Sequence, residues 1–113
     1  MARCFSSKVW IDQSLGLSYT TRAVDIDSRP RHFMHKGETP ISPWHDLSLR
    51  PHSELDVFNT IIEITRGTTE KMETETTMLH NPIVQDQKKD KKTGELKLRH
   101  YAIEPPFNYG MIP

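Results

Sequence analysis

Between residues 61 and 110 the sequence carries acidic, basic and hydroxyl side chains of the types that could hold a charged phosphoryl group. Glu63 lies near the end of a β-branched run, Lys71 and Glu73 stand two apart, Arg99 closes K-L-R (97–99), and Tyr109 sits in N-Y-G (108–110). Cleaving a phosphate anhydride takes divalent metal to neutralise charge and activate a water, cations to hold the substrate, and stabilisation of the leaving phosphate. Hard ions such as Mg2+ prefer oxygen ligands, which makes Glu63 and Glu73 candidate metal or metal-water ligands. Arg99 offers a planar fork and Lys71 a compact charge for phosphate oxygens. Tyr109 offers a hydroxyl donor.

Each residue also has a plainer reading. A Glu in a strand usually faces solvent, and a Lys-x-Glu pair on one strand face is commonly a surface ion pair worth under about 1 kcal/mol. An Arg after alternating leucines is ordinarily solvated, and N-Y-G by itself is a turn. Spacing leaves these readings open.

The elements that would position these residues read as β. Residues 57–64, V-F-N-T-I-I-E-I, predict a strand, being β-branched and aromatic without Gly or Pro. Alternation would put Glu63 on the face of Val57, Asn59 and Ile61. Lys71 to Glu73 forms a second extended piece with Met72 turned to the opposite, buried side. Asn81-Pro82 predicts a turn. The run D-Q-K-K-D-K-K-T-G-E-L-K-L-R (86–99) predicts a hairpin about Gly94. Nearer the start, Val9 to Ile11 fits a short strand before a break at Gly16. Residues 23–40, rich in charge, His and Pro, read as loop around at most a short strand. No capped helix, internal repeat or linker is evident, so the expected class is mainly β.

Composition narrows the function classes. The chain has 113 residues and 35% hydrophobic content, one thinly cored domain by size. Fifteen basic and 15 acidic residues cancel, so no overall field favours nucleic acid or an anionic membrane, and neither is expected as a partner. No apolar run approaches the roughly 18–20 residues of a membrane span. The single cysteine, Cys4, excludes an intramolecular disulfide and fits a reducing compartment. The lysines at 88, 89, 91 and 92 are interrupted by Asp90 and lack interleaved aromatics, which favours a solvated hairpin over a nucleic-acid surface. The histidines do not pair with Cys4 at a zinc-like spacing. Trp10 and Trp44 read as packing anchors. The opening M-A-R-C-F-S-S-K carries no acidic residue before Asp12, a faint likeness to a mitochondrial presequence, though an untidy exposed terminus is the favoured reading. A cytoplasmic location is expected, with mitochondrial import the alternative.

Taken in order, I-S-P-W-H-D-L (41–47), I-I-E-I (61–64), K-M-E (71–73), L-H-N-P-I-V-Q-D (79–86), K-L-R (97–99) and N-Y-G-M-I-P (108–113) resemble the amino-terminal part of a family I soluble inorganic pyrophosphatase of the eukaryotic, fungal type. S-Y-T-T-R (18–22) resembles the opening of fungal members. Residues 1–17 then form an added leader of uncertain order, and 18–113 the amino-terminal part of a pyrophosphatase-like domain. The resemblance implies a partial OB-like β-barrel and Mg2+-dependent hydrolysis of pyrophosphate to two phosphates. It assigns Glu63 and Glu73 to metal, Lys71 and Arg99 to substrate, and a catalytic role to Tyr109. It also implies a homo-oligomer or association with a full-length pyrophosphatase subunit.

This sequence departs from the family in places. T-R-G-T-T-E-K (65–71) replaces P-R-W-T-N-A-K, with Gly67 at the Trp position. The stretch after Arg99 is shortened to H-Y-A-I-E-P-P-F (100–107). The family's D-x-D-P-x-D metal cage follows N-Y-G, whereas this chain ends at Pro113, so turnover by these residues alone is in doubt. The expectation is a divergent, truncated member, or else a non-catalytic paralogue that binds a pyrophosphatase subunit or phosphate ligands.

Overall fold

The computed structural model describes residues 15–24 and 27–113 with their side chains, and residues 2–6 and 9–12 by backbone alone. The presequence reading of the first residues and the roles of Cys4 and Trp10 lie outside the described side chains. All named elements are strands.

Strands β1 (Ala2–Ser6) and β2 (Val9–Asp12) pair antiparallel, so the short strand expected around Trp10 is present in the backbone. Strands β3 (Leu17–Val24) and β4 (Asp27–Lys36) form the longest pairing. β4 also pairs with β5 (Thr39–Ile41) and with β8 (Ile83–Gln85). β8 in turn pairs with β7 (Met72–Thr74). The result is a five-stranded antiparallel sheet of order β3-β4-β8-β7 with β5 on β4. Two smaller ladders join β6 (Ile61–Ile64) to β11 (Tyr109–Met111), and β9 (Gln87–Lys89) to β10 (Leu96–Leu98). The architecture is mainly β, a partial and open barrel.

The expectation of loop over 23–40 is corrected by β4, a strand of 10 residues. Its charges at 27, 29 and 31, which look like solvent-facing loop residues in sequence, are paired within the fold. Arg31 is completely buried, its guanidinium donating to Asp27 and, through Nε, to Glu75 Oε2 at 3.0 Å. Arg29 donates to the same Asp27 carboxylate and to the Gln85 carbonyl. Pro30 points outward. An ion network thus does for part of β4 what apolar alternation usually does.

The strand expected over 57–64 is shorter, occupying only 61–64. Asn59 explains where it stops: its amide donates to the Leu49 carbonyl and its side chain to the Ser48 carbonyl, tying 57–60 into the preceding loop. Phe58 lies exposed beneath the Arg50 guanidinium, 4.9 Å from its ring centre.

The apolar core is small: Tyr19, Met34, Ile61 and Ile83, with Leu17, Ile41, Leu47, Met72 and Met111 packed against it. Met72 takes the buried side its alternation predicted. Burial pushes the Tyr19 phenol well above its ordinary value, because the phenolate would lose its hydration. A phenol raised in the folded state stabilises fully below its unfolded value, near pH 10, and that contribution is lost as pH rises further. In an alkaline spectrophotometric titration, one tyrosine should therefore stay protonated until the chain unfolds. Replacing Tyr19 by Phe should remove that late step, and its persistence would refute the assignment.

Two of the blocks that carried the resemblance hold each other. Ser42 Oγ donates to Asn81 Oδ1 at 2.7 Å and accepts the amides of Trp44 and His45. Asn81, buried with φ 44°, donates from its side chain to the Glu75 and Met78 carbonyls, making the turn that Asn-Pro predicted. The hairpin about Gly94, φ 74°, also forms as expected.

Candidate active site

Lys71 lies just before β7, Asp86 between β8 and β9, and Arg99 just after β10. Three backbone hydrogen bonds close a ring among them. Lys71 N donates to Arg99 O (3.1 Å), Asp86 N to Lys71 O (2.8 Å), and Arg99 N to Asp86 O (2.9 Å). The ring fixes the three side chains toward a common point. Lys71 Nζ reaches Asp86 Oδ2 at 2.9 Å, and Arg99 Nη1 reaches the same oxygen at 2.8 Å.

Glu73 stands on β7 two residues beyond Lys71 and shares its face, with Nζ 3.7 Å from Oε2. Glu63, on β6, accepts the Thr74 amide at Oε1 (2.7 Å), so its side chain bridges two separate sheets. The structure therefore brings Lys71 and Arg99 together on Asp86, a residue that sequence reasoning did not select, with Glu73 beside Lys71 and Glu63 held against the backbone of β7. Asp86 ends the L-H-N-P-I-V-Q-D block; its place before the lysine-rich hairpin was the one available signal.

Charge explains how the cluster balances. Hydrogen bonding to Asp86 raises the Lys71 ammonium above its usual value, against desolvation. Burial pushes Asp86 upward, but its hydrogen bonds from Lys71 and Arg99 outweigh that and hold its carboxyl below the ordinary value. Glu73 goes the other way: partial burial raises it first, and the negative charge of Asp86, with a smaller share from Glu63, adds to the rise despite Lys71. Asp86 has spent its charge on two cations, leaving Glu73 with more negative company than positive. Such a site takes a further cation, or a proton, and its two organised cations take an anion.

As a home for Mg2+ the set is incomplete. Glu63 Oε1 and Asp86 Oδ2 are already committed. Among the described residues no group of three or more His, Cys, Asp or Glu is placed to hold a metal ion. The carboxylates present do not by themselves form an oxygen cage.

Tyr109 is not part of the ionic cluster. It pairs with Ile64 across β11 and β6 and lines an apolar hollow of about 570 Å³ with Ile64, Tyr101, Ile103, Pro105 and Phe107. Alternation along β6 turns Glu63 away from the face of Ile64. Trp44, part exposed, stacks on His45 and lines a second hollow beside Ile61, Gly110 and Met111.

No protein-family model matches the chain. Individual proteins do. An inorganic pyrophosphatase of Dictyostelium discoideum is 37% identical over 99 residues, covering 86% of this chain and 33% of that protein. One of Schizosaccharomyces pombe is 40% identical over 103 residues, covering 84% of this chain and 33% of its own. A solved type I inorganic pyrophosphatase of Toxoplasma gondii superposes with a TM-score of 0.69 and 32% identity, covering 86% of this chain and 41% of that one. The chain thus spans about a third of the length of the curated relatives it matches.

Proposed function

We propose that this chain, related in sequence and fold to the inorganic pyrophosphatases over 86% of its length, uses its ionic cluster to hold pyrophosphate for hydrolysis to two phosphates. The observation that carries the reading is the convergence of Lys71 and Arg99 on one carboxylate oxygen. Asp86 holds the two cations together before substrate arrives, so little ordering remains to be done on binding. Incoming phosphate oxygens replace Asp86 as acceptors on the outward side of the pair, and Arg99, with 45% of its side chain exposed, is open to them.

Glu63 and Glu73 are proposed to contribute to holding Mg2+, the hard cation this chemistry takes, which would neutralise phosphate charge and activate a water once further oxygen ligands complete the set. Glu73 carries the charge that a cation would relieve. Tyr109 is proposed to act near the leaving group, a role that requires the substrate to extend toward the apolar hollow. Residues 18–113 are read as one pyrophosphatase-like domain behind a leader, in the cytoplasm or, if the leader directs import, in mitochondria.

The test is phosphate release from pyrophosphate with excess Mg2+, comparing the chain with Arg99→Ala. Loss of one preorganised donor should lower turnover by roughly 10²-fold or more. No release above the variant's background, from demonstrably folded protein, would refute hydrolysis by this chain. It would turn attention to a second reading, an interaction module. That reading is favoured by the apolar side chains left open around the hollow, Ile103 at 77% and Phe107 at 60% exposure, a surface suited to a pyrophosphatase subunit or a second copy.

A further inference from the structure

The β9–β10 hairpin carries an electrostatic arrangement that the pyrophosphate reading does not use. Its register sets Lys97 directly opposite Lys88. Like charges directly opposite on a sheet are destabilising. Among the described residues, the carboxylate paired with Lys97 is Asp90, whose Oδ2 lies 3.7 Å from Lys97 Nζ, while its Oδ1 accepts the amides of Lys92 and Thr93 in the turn. Lys88, Lys97 and Lys91 line, with Lys89 and Asp90, a hollow of about 420 Å³.

This pair lies on the face of the ionic cluster. The bond from Arg99 N to Asp86 O continues the ladder by one pair, setting Arg99 opposite Asp86. Lys97 and Lys88 are each two residues away along their strands, so they stand on the same side, about 7 Å further on. A row of cations therefore runs from Lys71 and Arg99 to Lys97 and Lys88, with Asp90 and Glu95 at the hairpin tip.

We propose that this row binds a linear polyphosphate of three or more phosphoryl units, the end of which occupies the Lys71–Arg99 site. The inference rests on the pyrophosphate reading of that site and extends its substrate class. An anion lying between Lys88 and Lys97 would turn their repulsion into two attractions. A nucleic acid would need aromatic platforms interleaved with the charges; this face of the hairpin carries none, and the apolar residues Leu96 and Leu98 take the other face.

The experiment is a set of binding titrations with pyrophosphate, tripolyphosphate and an oligothymidylate of matched charge, on the chain and on the Lys88→Gln, Lys97→Gln double variant. Tripolyphosphate should bind about tenfold tighter than pyrophosphate, the effect of one added charge-assisted contact. In the double variant the two affinities should come together, while the unfolding midpoint holds or rises because a repulsive pair is gone. Equal affinities in the parent chain, or a gap that survives in the variant, would overturn the proposal. So would an oligothymidylate that competes as well as tripolyphosphate. Tripolyphosphate binding without any binding of pyrophosphate would refute the pyrophosphate reading and leave the lysine row standing.

Discussion

Replacing Asp27 by Ala should lower the free energy of unfolding by roughly 2–3 kcal/mol, a large part of what so thin a core supplies. Arg31 has no exposed surface, and Asp27 accepts from two of its nitrogens, with Glu75 meeting the third. Removing Asp27 leaves a buried guanidinium half compensated. Glu75 keeps the cost below the 3–5 kcal/mol typical of a broken buried pair. Hydrogen bonds from Arg31 first, then Arg29, hold the Asp27 carboxyl far below its ordinary value. A depressed carboxylate contributes fully above its unfolded value, near pH 4, and loses that contribution as pH falls toward the folded value. Urea unfolding midpoints between pH 7 and pH 3 should therefore fall more steeply for the parent than for Asp27→Ala. Parallel curves separated by less than about 0.5 kcal/mol would show that the network contributes little. Asp27→Asn, which keeps the shape and loses the charge, separates electrostatics from packing if the Ala variant fails to fold.

Gly110→Ala should unseat β11 from β6. A Cβ at this position would lie 1.8 Å from the Ile61 carbonyl oxygen, 2.8 Å from its carbon and 3.0 Å from the Glu63 amide nitrogen. All three are backbone atoms, which cannot swing aside as a flexible side chain can. The cost should reach about 3 kcal/mol or more, the upper end for overpacking. The ladder also shifts register between Tyr109 and Gly110, so the glycine sits at an irregularity of the pairing as well as at a close backbone approach. Amide exchange at residues 61–64 should accelerate, and the ellipticity of Tyr109 in the near ultraviolet should weaken. Unchanged exchange with stability within about 0.5 kcal/mol would contradict so close an approach. The glycine of N-Y-G is thus required by backbone contact, whatever chemistry its neighbour performs.

The β class was legible from alternation and turn residues, and the hairpin about Gly94 and the Asn81-Pro82 turn were placed by their own chemistry. The strand over 27–36 was not legible. Arg29, Arg31 and Asp27 look like solvent-facing residues until Glu75, 44 positions after Arg31, and the Gln85 carbonyl are brought to them. The strand at 57–64 was overextended for a related reason: local propensity favours Val57 and Phe58 in a strand, and the bonds of Asn59 to residues 48 and 49 overrule it.

For the site, the amino-acid sequence alone determined which chemical groups were available: two cations and two glutamates of the types phosphate chemistry uses, in blocks whose order resembles one family. Those are properties of side-chain type, and they need no fold to be read. Which of these groups meet was decided by tertiary structure. Lys71, Asp86 and Arg99 are brought together by three backbone hydrogen bonds between segments up to 28 positions apart, and no local pattern encodes such a ring. The β9–β10 ladder carries Lys97 and Lys88 onto the cluster's face and makes Asp86 its hub, while the separate β6–β11 ladder turns Tyr109 toward an apolar hollow. Each outcome depends on which strand lies beside which, and that is settled by the burial of Tyr19, Met34, Ile61 and Ile83 together with the pairing of Arg31.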